Sequence, residues 1–111
     1  MRMPDPASGR AVRAFMNRLP TDLPVERVVL YGSRARGDFR PESDADVAII
    51  LREGAADWRT LWMLGGLAYE AFIETGILIQ PVLISTEDWA DPARFPRPSL
   101  IRNITREGIP L

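Results

Sequence analysis

Val28-Val29-Leu30-Tyr31-Gly32-Ser33-Arg34-Ala35-Arg36-Gly37, then the segment 38–43, then Asp44-Ala45-Asp46-Val47-Ala48-Ile49-Ile50-Leu51, is the stretch that decides the fold. Val28 to Tyr31 is an apolar, β-favouring run that stops at Gly32-Ser33, where Arg34-Ala35-Arg36 can turn as a short helix. A glycine at a strand-to-helix junction lets the backbone approach a ligand closely. The unpaired N–H groups and dipole at the helix start favour an anion such as a phosphate. Ser33 is placed to cap that helix and to donate its hydroxyl to a phosphate oxygen. Asp44 and Asp46 lead into the second apolar run, and residues i and i+2 of a strand share a face, so the two carboxylates converge. Converging acids repel one another unless a cation lies between them. Mg²⁺, which needs only one or two protein carboxylates and completes its shell with water and substrate phosphates, is the natural occupant. Arg34, Arg36 and Arg40 lie in the connection and can neutralise a triphosphate or a leaving pyrophosphate. Ser43, directly before the first aspartate, joins Gly32, Ser33, Arg34 and Arg36 as a candidate nucleotide-binding residue.

A Gly-Ser turn, an Asp-x-Asp or a loop arginine is commonplace alone. Gly32-Ser33-Arg34-Ala35-Arg36-Gly37 followed by Ser43-Asp44-Ala45-Asp46, set between two strands, resembles the signature of the DNA polymerase β-like nucleotidyltransferase superfamily. Within it, the chain resembles the small stand-alone minimal nucleotidyltransferases (MNT proteins), more loosely over most of its length, including the closing segment Arg102 to Ile109. The resemblance implies that Gly32 and Ser33 hold a triphosphate, that Asp44 and Asp46 bind magnesium, and that a nucleoside monophosphate passes to a hydroxyl as pyrophosphate leaves. It also implies a third carboxylate on a later strand. Here that strand is Ile77 to Ile84, and the matching position holds Gln80, which can position a water or ligate weakly but cannot accept a proton as a general base. Glu70 and Glu74 on a helix face, and Asp38 and Glu42 in the loop, are the other acids in question, and they read as solvated charges.

MNT proteins are commonly paired with a HEPN-domain protein in toxin–antitoxin modules. The resemblance therefore implies transfer of AMP from ATP to a tyrosine hydroxyl of such a partner. A second reading, suited to the missing acid, is a nucleotide-binding module that neutralises its partner by covering a surface. A third is nucleotidyl transfer to a small molecule such as an aminoglycoside.

Composition works by elimination. The 111 residues include no His and no Cys, which excludes Ser-His-Asp and Cys-His catalysis, the usual zinc sites and disulfides. All fourteen basic residues are arginine, so Schiff-base chemistry and a Walker-type phosphate lysine are also absent. A formal net charge of −1 argues against long nucleic acid as a partner, although Arg10, Arg13, Arg18 and Arg27 gather near the N-terminus, where they read as a solvated face. No signal peptide or membrane-length apolar run is visible, and a cytoplasmic location is the default expectation.

The pattern predicts one α/β (α+β) domain over residues 1–111 with a small mixed sheet and helices packed on it, its segment Met1 to Ala7 loose. The predicted elements are a helix over Ala11 to Leu19, strands over Arg27 to Tyr31 and Asp46 to Leu51, and a long helix from Asp57 to Thr75. Leu61, Leu64, Ala68 and Phe72 form that helix's apolar stripe, and Gly65-Gly66 suggests close packing or a kink. Trp58, Trp62 and Met63 read as core or partner surface. Ile77 to Ile84, apolar on both faces, points to a strand between covering layers or near the sheet centre, whereas Pro81 argues for an edge or a bulge. Ser85 to Trp89 reads as a capped turn, and Leu100 to Glu107 as a closing helix stopped by Gly108 and Pro110.

Overall fold

The computed structural model describes residues 2–52 and 55–111. In chain order they form α1 (Pro6–Met16), β1 (Val25–Tyr31), α2 (Ser33–Arg36), β2 (Ala45–Leu51), α3 (Trp58–Thr75), β3 (Ile79–Ser85), α4 (Thr86–Ala90), a 3-10 turn (Pro92–Arg94), α5 (Pro98–Glu107) and β4 (Ile109–Pro110). The strands make one mixed sheet in the order β3-β2-β1-β4. β1 runs antiparallel to β2 and to β4, whereas β3, reached through the α3 crossover, runs parallel to β2.

Alternation along the strands divides the sheet into two apolar faces. Val28 and Leu30 of β1, Val47, Ile49 and Leu51 of β2, and Ile79 of β3 point towards α1 and α3 and pack on Ala11, Val12, Phe15, Leu64, Ala68 and Ala71. Val29, Ala48, Ile50 and Ile84 point the other way, against Ile101 and Ile104 of α5, with Trp89 and Phe95 alongside. Each fully buried Ile or Leu contributes roughly 1.5–3 kcal/mol relative to an exposed one, so these two layers hold the sheet rigid beneath the residues at its ends.

Three expectations need correction: the loose N-terminus, the bounds of the first helix and the buried stripe of α3. The N-terminal segment is not loose: Asp5 caps α1 by accepting the Ser8 amide, Pro6 supplies a preset φ in the first turn, and Arg2 donates to the carbonyls of Ala35 and Glu107. Met1 lies outside the described residues. With Asp5 as its cap and Pro6 in its first turn, the helix starts five residues before Ala11, and it ends at Met16 rather than Leu19. β3 lies between the two layers, as its apolar faces require, but at the sheet edge, where the missing N–H of Pro81 is tolerated. The buried stripe of α3 is Leu64, Ala68 and Ala71, whereas Leu61 and Phe72 face outwards. α5 stops at Glu107, and the residues after it join the sheet. Ile109 and Pro110 add a short strand to β1, and Leu111 N–H donates to Val28 O.

Candidate active site

β1 ends at Tyr31 just where β2 begins, so the turn through Gly32 and α2 lies against the start of β2. Tyr31 pairs with Asp46 across the β1–β2 ladder, and Asp46 pairs with Gln80 across the β2–β3 ladder. By alternation Tyr31, Asp44, Asp46 and Gln80 share one face, the one that carries α5 further along the sheet. The Gln80 amide donates from Nε2 to Asp44 Oδ2 at 3.1 Å. The three side chains assigned by sequence to the chemistry are thus brought together, Asp44 and Gln80 exposed and Asp46 half-buried.

The electrostatics are those of crowded acids. Burial, followed by the neighbouring charge of Asp44, pushes the Asp46 carboxyl above the ordinary carboxylate range, with Arg36 opposing. The Tyr31 hydroxyl is pushed up to about 12, first by burial and then by the Asp46 charge, so it remains protonated. Two carboxylates in this state would gain from a divalent cation, and the donor set fits magnesium: Asp44 and Asp46 are the residues that would hold it, with Gln80 beside them. Among the described residues no group of three or more His, Cys, Asp or Glu side chains is placed to hold a metal, so a magnesium ion held by the two aspartates would need water and phosphate oxygens to complete its shell.

Gly32 is fixed by two facts. Its φ of 75° and ψ of −156° lie in a region open essentially to glycine alone, and a Cβ built on it falls 2.4 Å from Asp46 Oδ2. The backbone therefore rests directly on the Asp46 carboxylate. Gly32, not Ser33, is the N-cap of α2, and Ser33 makes no side-chain cap. With four residues α2 is a single turn, too short for an appreciable macrodipole, so any phosphate contact rests on individual N–H and hydroxyl groups.

The arginines and Ser43 divide differently from the sequence reading. Arg34 is 3% exposed: Nε donates to Ser43 O at 2.9 Å, Nη1 to Ser8 Oγ at 2.9 Å and Nη2 to Pro41 O at 3.0 Å, and the guanidinium lies 4.5 Å from the centre of the Phe39 ring. It ties α1 to the loop that presents Asp44, so its donors are engaged by the fold rather than open to a phosphate. The Ser43 hydroxyl accepts the Arg40 amide at 2.9 Å and closes the same loop. Arg36 is exposed, and Asp38, then Glu107, favour its charged form. Glu70 and Glu74 pair with Arg18. They extend from α3, which covers the opposite face of the sheet, and Asp38 pairs with Arg36.

Glu107 was not singled out as a site residue by the sequence. Its Oε1 accepts the Gly32 N–H at 3.0 Å and Arg36 Nη1 at 3.1 Å. A carboxylate from the end of α5 therefore occupies two donors expected to meet a phosphate. Separation along the chain hides this contact. The one sequence signal was the closing segment that shares the family resemblance.

Residues 12–110 match the family model of the nucleotidyltransferase domain. A protein of Methanocaldococcus jannaschii, assigned by inference as a protein adenylyltransferase, is 28% identical over 101 residues, covering 89% of this chain and 92% of its own length. A second protein of that organism with the same assignment is 55% identical over 29 residues, 26% of this chain and 29% of its own. A crystal structure described as a toxin–antitoxin with AMP-PNP superposes with a TM-score of 0.62 at 16% identity, over 93% of this chain and 70% of that one. A mutant of the toxin–antitoxin MntA-HpeT superposes with a TM-score of 0.58 at 18% identity, over 90% and 67%. At such identities the structural likeness is one of fold. The family match spans both the glycine turn and the paired aspartates, and the chain belongs to the nucleotidyltransferase domain family.

Proposed function

We propose that this nucleotidyltransferase moves a nucleoside monophosphate, AMP from ATP, onto a hydroxyl of a partner protein, and that it is the antitoxin half of a toxin–antitoxin pair whose other half is a HEPN-domain protein. The observation that carries the reading is the convergence of Asp44 and Asp46 on one sheet face, beside Gln80 and against the Gly32 turn. The similarity to a protein assigned as a protein adenylyltransferase along most of both chains supports the transferred group and the class of acceptor. The solved toxin–antitoxin with AMP-PNP, similar in fold, supports the pairing and the nucleotide. A HEPN partner rests on the MNT resemblance of the sequence.

In the transfer, a bond forms between the acceptor oxygen and the α-phosphorus, and the bond from that phosphorus to the bridging oxygen breaks as pyrophosphate leaves. Bound magnesium supplies neutralisation of the triphosphate charge. Asp44 and Asp46 would hold it, Gly32 and Ser33 would meet the phosphates, and Arg36 would offset the charge developing on pyrophosphate once it exchanges Glu107 for phosphate. Gln80 cannot take the hydroxyl proton, which leaves Asp44 and Asp46 as the acceptors within the cluster. Nucleotidyl transfer relies chiefly on positioning and charge, so loss of the third carboxylate slows the step without removing its basis. The Gln80 amide on Asp44 also favours a second reading, in which the protein binds nucleotide and neutralises its partner without transfer.

The test is incubation with α-labelled ATP, Mg²⁺ and lysate of the source cell, beside an Asp44→Asn/Asp46→Asn double variant. A labelled protein band with the wild type alone supports transfer, and mass spectrometry of that band identifies the acceptor. Magnesium-dependent ATP binding without label moves the assignment to the binding module, and equal ATP binding by both forms overturns the site.

A further inference from the structure

We propose that the chain pairs with a second copy of itself, antiparallel, through the outer face of α3. Among the described residues, every large apolar side chain classed as exposed except Met3 and Leu111 lies on α3: Trp58, Leu61, Trp62, Tyr69, Phe72 and Ile73. Trp58 and Trp62 are 71% and 81% exposed, an expense in free water contact that a monomer surface seldom carries in one contiguous stripe. Their spacing, with Gly65 and Gly66, is helical throughout, so they form one face opposite the buried Leu64, Ala68 and Ala71. Trp58, Leu61, Trp62 and the two glycines line a groove of about 560 Å³.

The stripe is self-complementary about its middle. Gly65 and Gly66 are its centre, and turning the helix end for end about them sets Trp58 against the partner copy's Ile73 position, Trp62 against its Tyr69 position and Leu61 beside its Phe72 position. A Cβ at Gly65 or Gly66 meets nothing within 4 Å, so neither the fold nor its packing demands glycine there, although glycine costs about 1 kcal/mol in a helix interior. Two glycines at the crossing point permit the close backbone approach that an antiparallel helix pair uses.

Charge fits the same register. On one flank of the stripe, Arg59 is the only basic residue of α3, and Glu70 and Glu74 lie at the other end of that flank. Glu70 and Glu74 share the single guanidinium of Arg18, which leaves one net negative charge there, and antiparallel pairing brings Arg59 of the other copy between their positions, whereas parallel pairing stacks like charges. Because α3 covers the face opposite Asp44 and Asp46, the pairing leaves the carboxylates open.

The test is sedimentation equilibrium of the full chain between about 1 and 300 μM, with tryptophan emission followed over the same range. The expected result is a mass rising to twice the 12.5 kDa of one chain, with a blue shift as Trp58 and Trp62 leave water. A Gly65→Leu/Gly66→Leu variant should unfold at no lower a temperature than the wild type, since both substitutions favour the helix, yet remain a monomer across the range. Arg59→Glu should weaken association at least tenfold, less so in high salt. A wild type that stays monomeric at 300 μM, or a glycine double variant that associates like the wild type, overturns the proposal. Occupation of the stripe by a different protein, with no self-association, overturns it as well. Label transfer from ATP reads a separate site and can fail or succeed independently.

Discussion

Replacing Gly32 by alanine tests the geometry of the candidate site at its tightest point. Two penalties can be worked from the structure. The backbone at φ 75° and ψ −156° lies where residues other than glycine cost about 1–3 kcal/mol. The new methyl also falls 2.4 Å from Asp46 Oδ2 and 3.3 Å from its Cγ, so the carboxylate must rotate away. That movement is cheap for stability, because a side-chain end can turn, but it takes Asp46 out of register with Asp44. The expected loss of stability is therefore set by the backbone, about 1–3 kcal/mol, or roughly 4–12 °C in Tm for a chain of this size. Magnesium-dependent nucleotide affinity should fall about tenfold or more through the displaced carboxylate, if Asp46 holds the metal as proposed. Gly37→Ala is the control. Its φ is 90°, but an added Cβ meets nothing within 4 Å, so it should lose a comparable amount of stability and keep its nucleotide affinity. Thermal unfolding, together with calorimetric titration of ATP with and without Mg²⁺, reads both quantities. Unchanged affinity in Gly32→Ala, or an equal loss in Gly37→Ala, refutes the proposed role of the Gly32 turn and the Asp46 carboxylate in holding nucleotide and metal.

Further predictions follow from the same cluster. The Asp46 carboxyl is raised by burial and by Asp44, so its ionisation opposes folding: its favourable contribution is complete below the unfolded value of 3.8 and is lost as pH rises through the folded value. In metal-free buffer at pH 7, Asp46→Asn should therefore unfold at a higher temperature than the wild type, and the gap should close on acidification. Denaturation scans from pH 3 to 8 check this. Glu107→Gln removes a resident negative charge from Gly32 N–H and Arg36, and nucleotide affinity should rise severalfold, on the order of 1 kcal/mol, with a stability loss of at most about 1 kcal/mol. Weaker nucleotide binding in that variant would show that Glu107 organises the donors instead of competing for them. Gln80→Glu should restore an acid beside Asp44, lowering metal-free stability while increasing both the stabilisation by Mg²⁺ and the rate of label transfer. Arg34→Ala should cost about 2–4 kcal/mol in urea unfolding, because it strands the Ser8 hydroxyl and the carbonyls of Pro41 and Ser43, and Arg34→Lys should recover only part of that loss.

Local rules made much of this molecule legible in its sequence. Strand alternation alone places Asp44 and Asp46 on one face, and the Val28 to Tyr31 run ending at Gly32 marks the turn that rests on them. The absence of His, Cys and Lys narrows the chemistry to carboxylates, hydroxyls, arginines and a metal, whatever the fold. The family resemblance, which implies a third carboxylate on a later strand, points to Gln80, and the parallel β2–β3 register sets it opposite Asp46. Other features depended on contacts between distant segments. The apolar period of α3 marks Leu64 and Ala68 but cannot say that Leu61 and Phe72 face away, because two apolar stripes on one helix look alike until the sheet selects one. Arg34 looks like its neighbour Arg36 in sequence. Only packing against Ser8, Phe39 and the 40–43 carbonyls makes one a buried strut and leaves the other exposed at the site. Glu107 meets Gly32 across 75 positions of chain, a contact created when β4 and α5 close on β1. The sequence by itself determined which groups are available and which share a strand face, since those follow from residue chemistry and a two-residue repeat. Tertiary structure decided which charges are buried, which are paired and which stripe is left open to solvent, since those depend on what the folded chain brings alongside each residue.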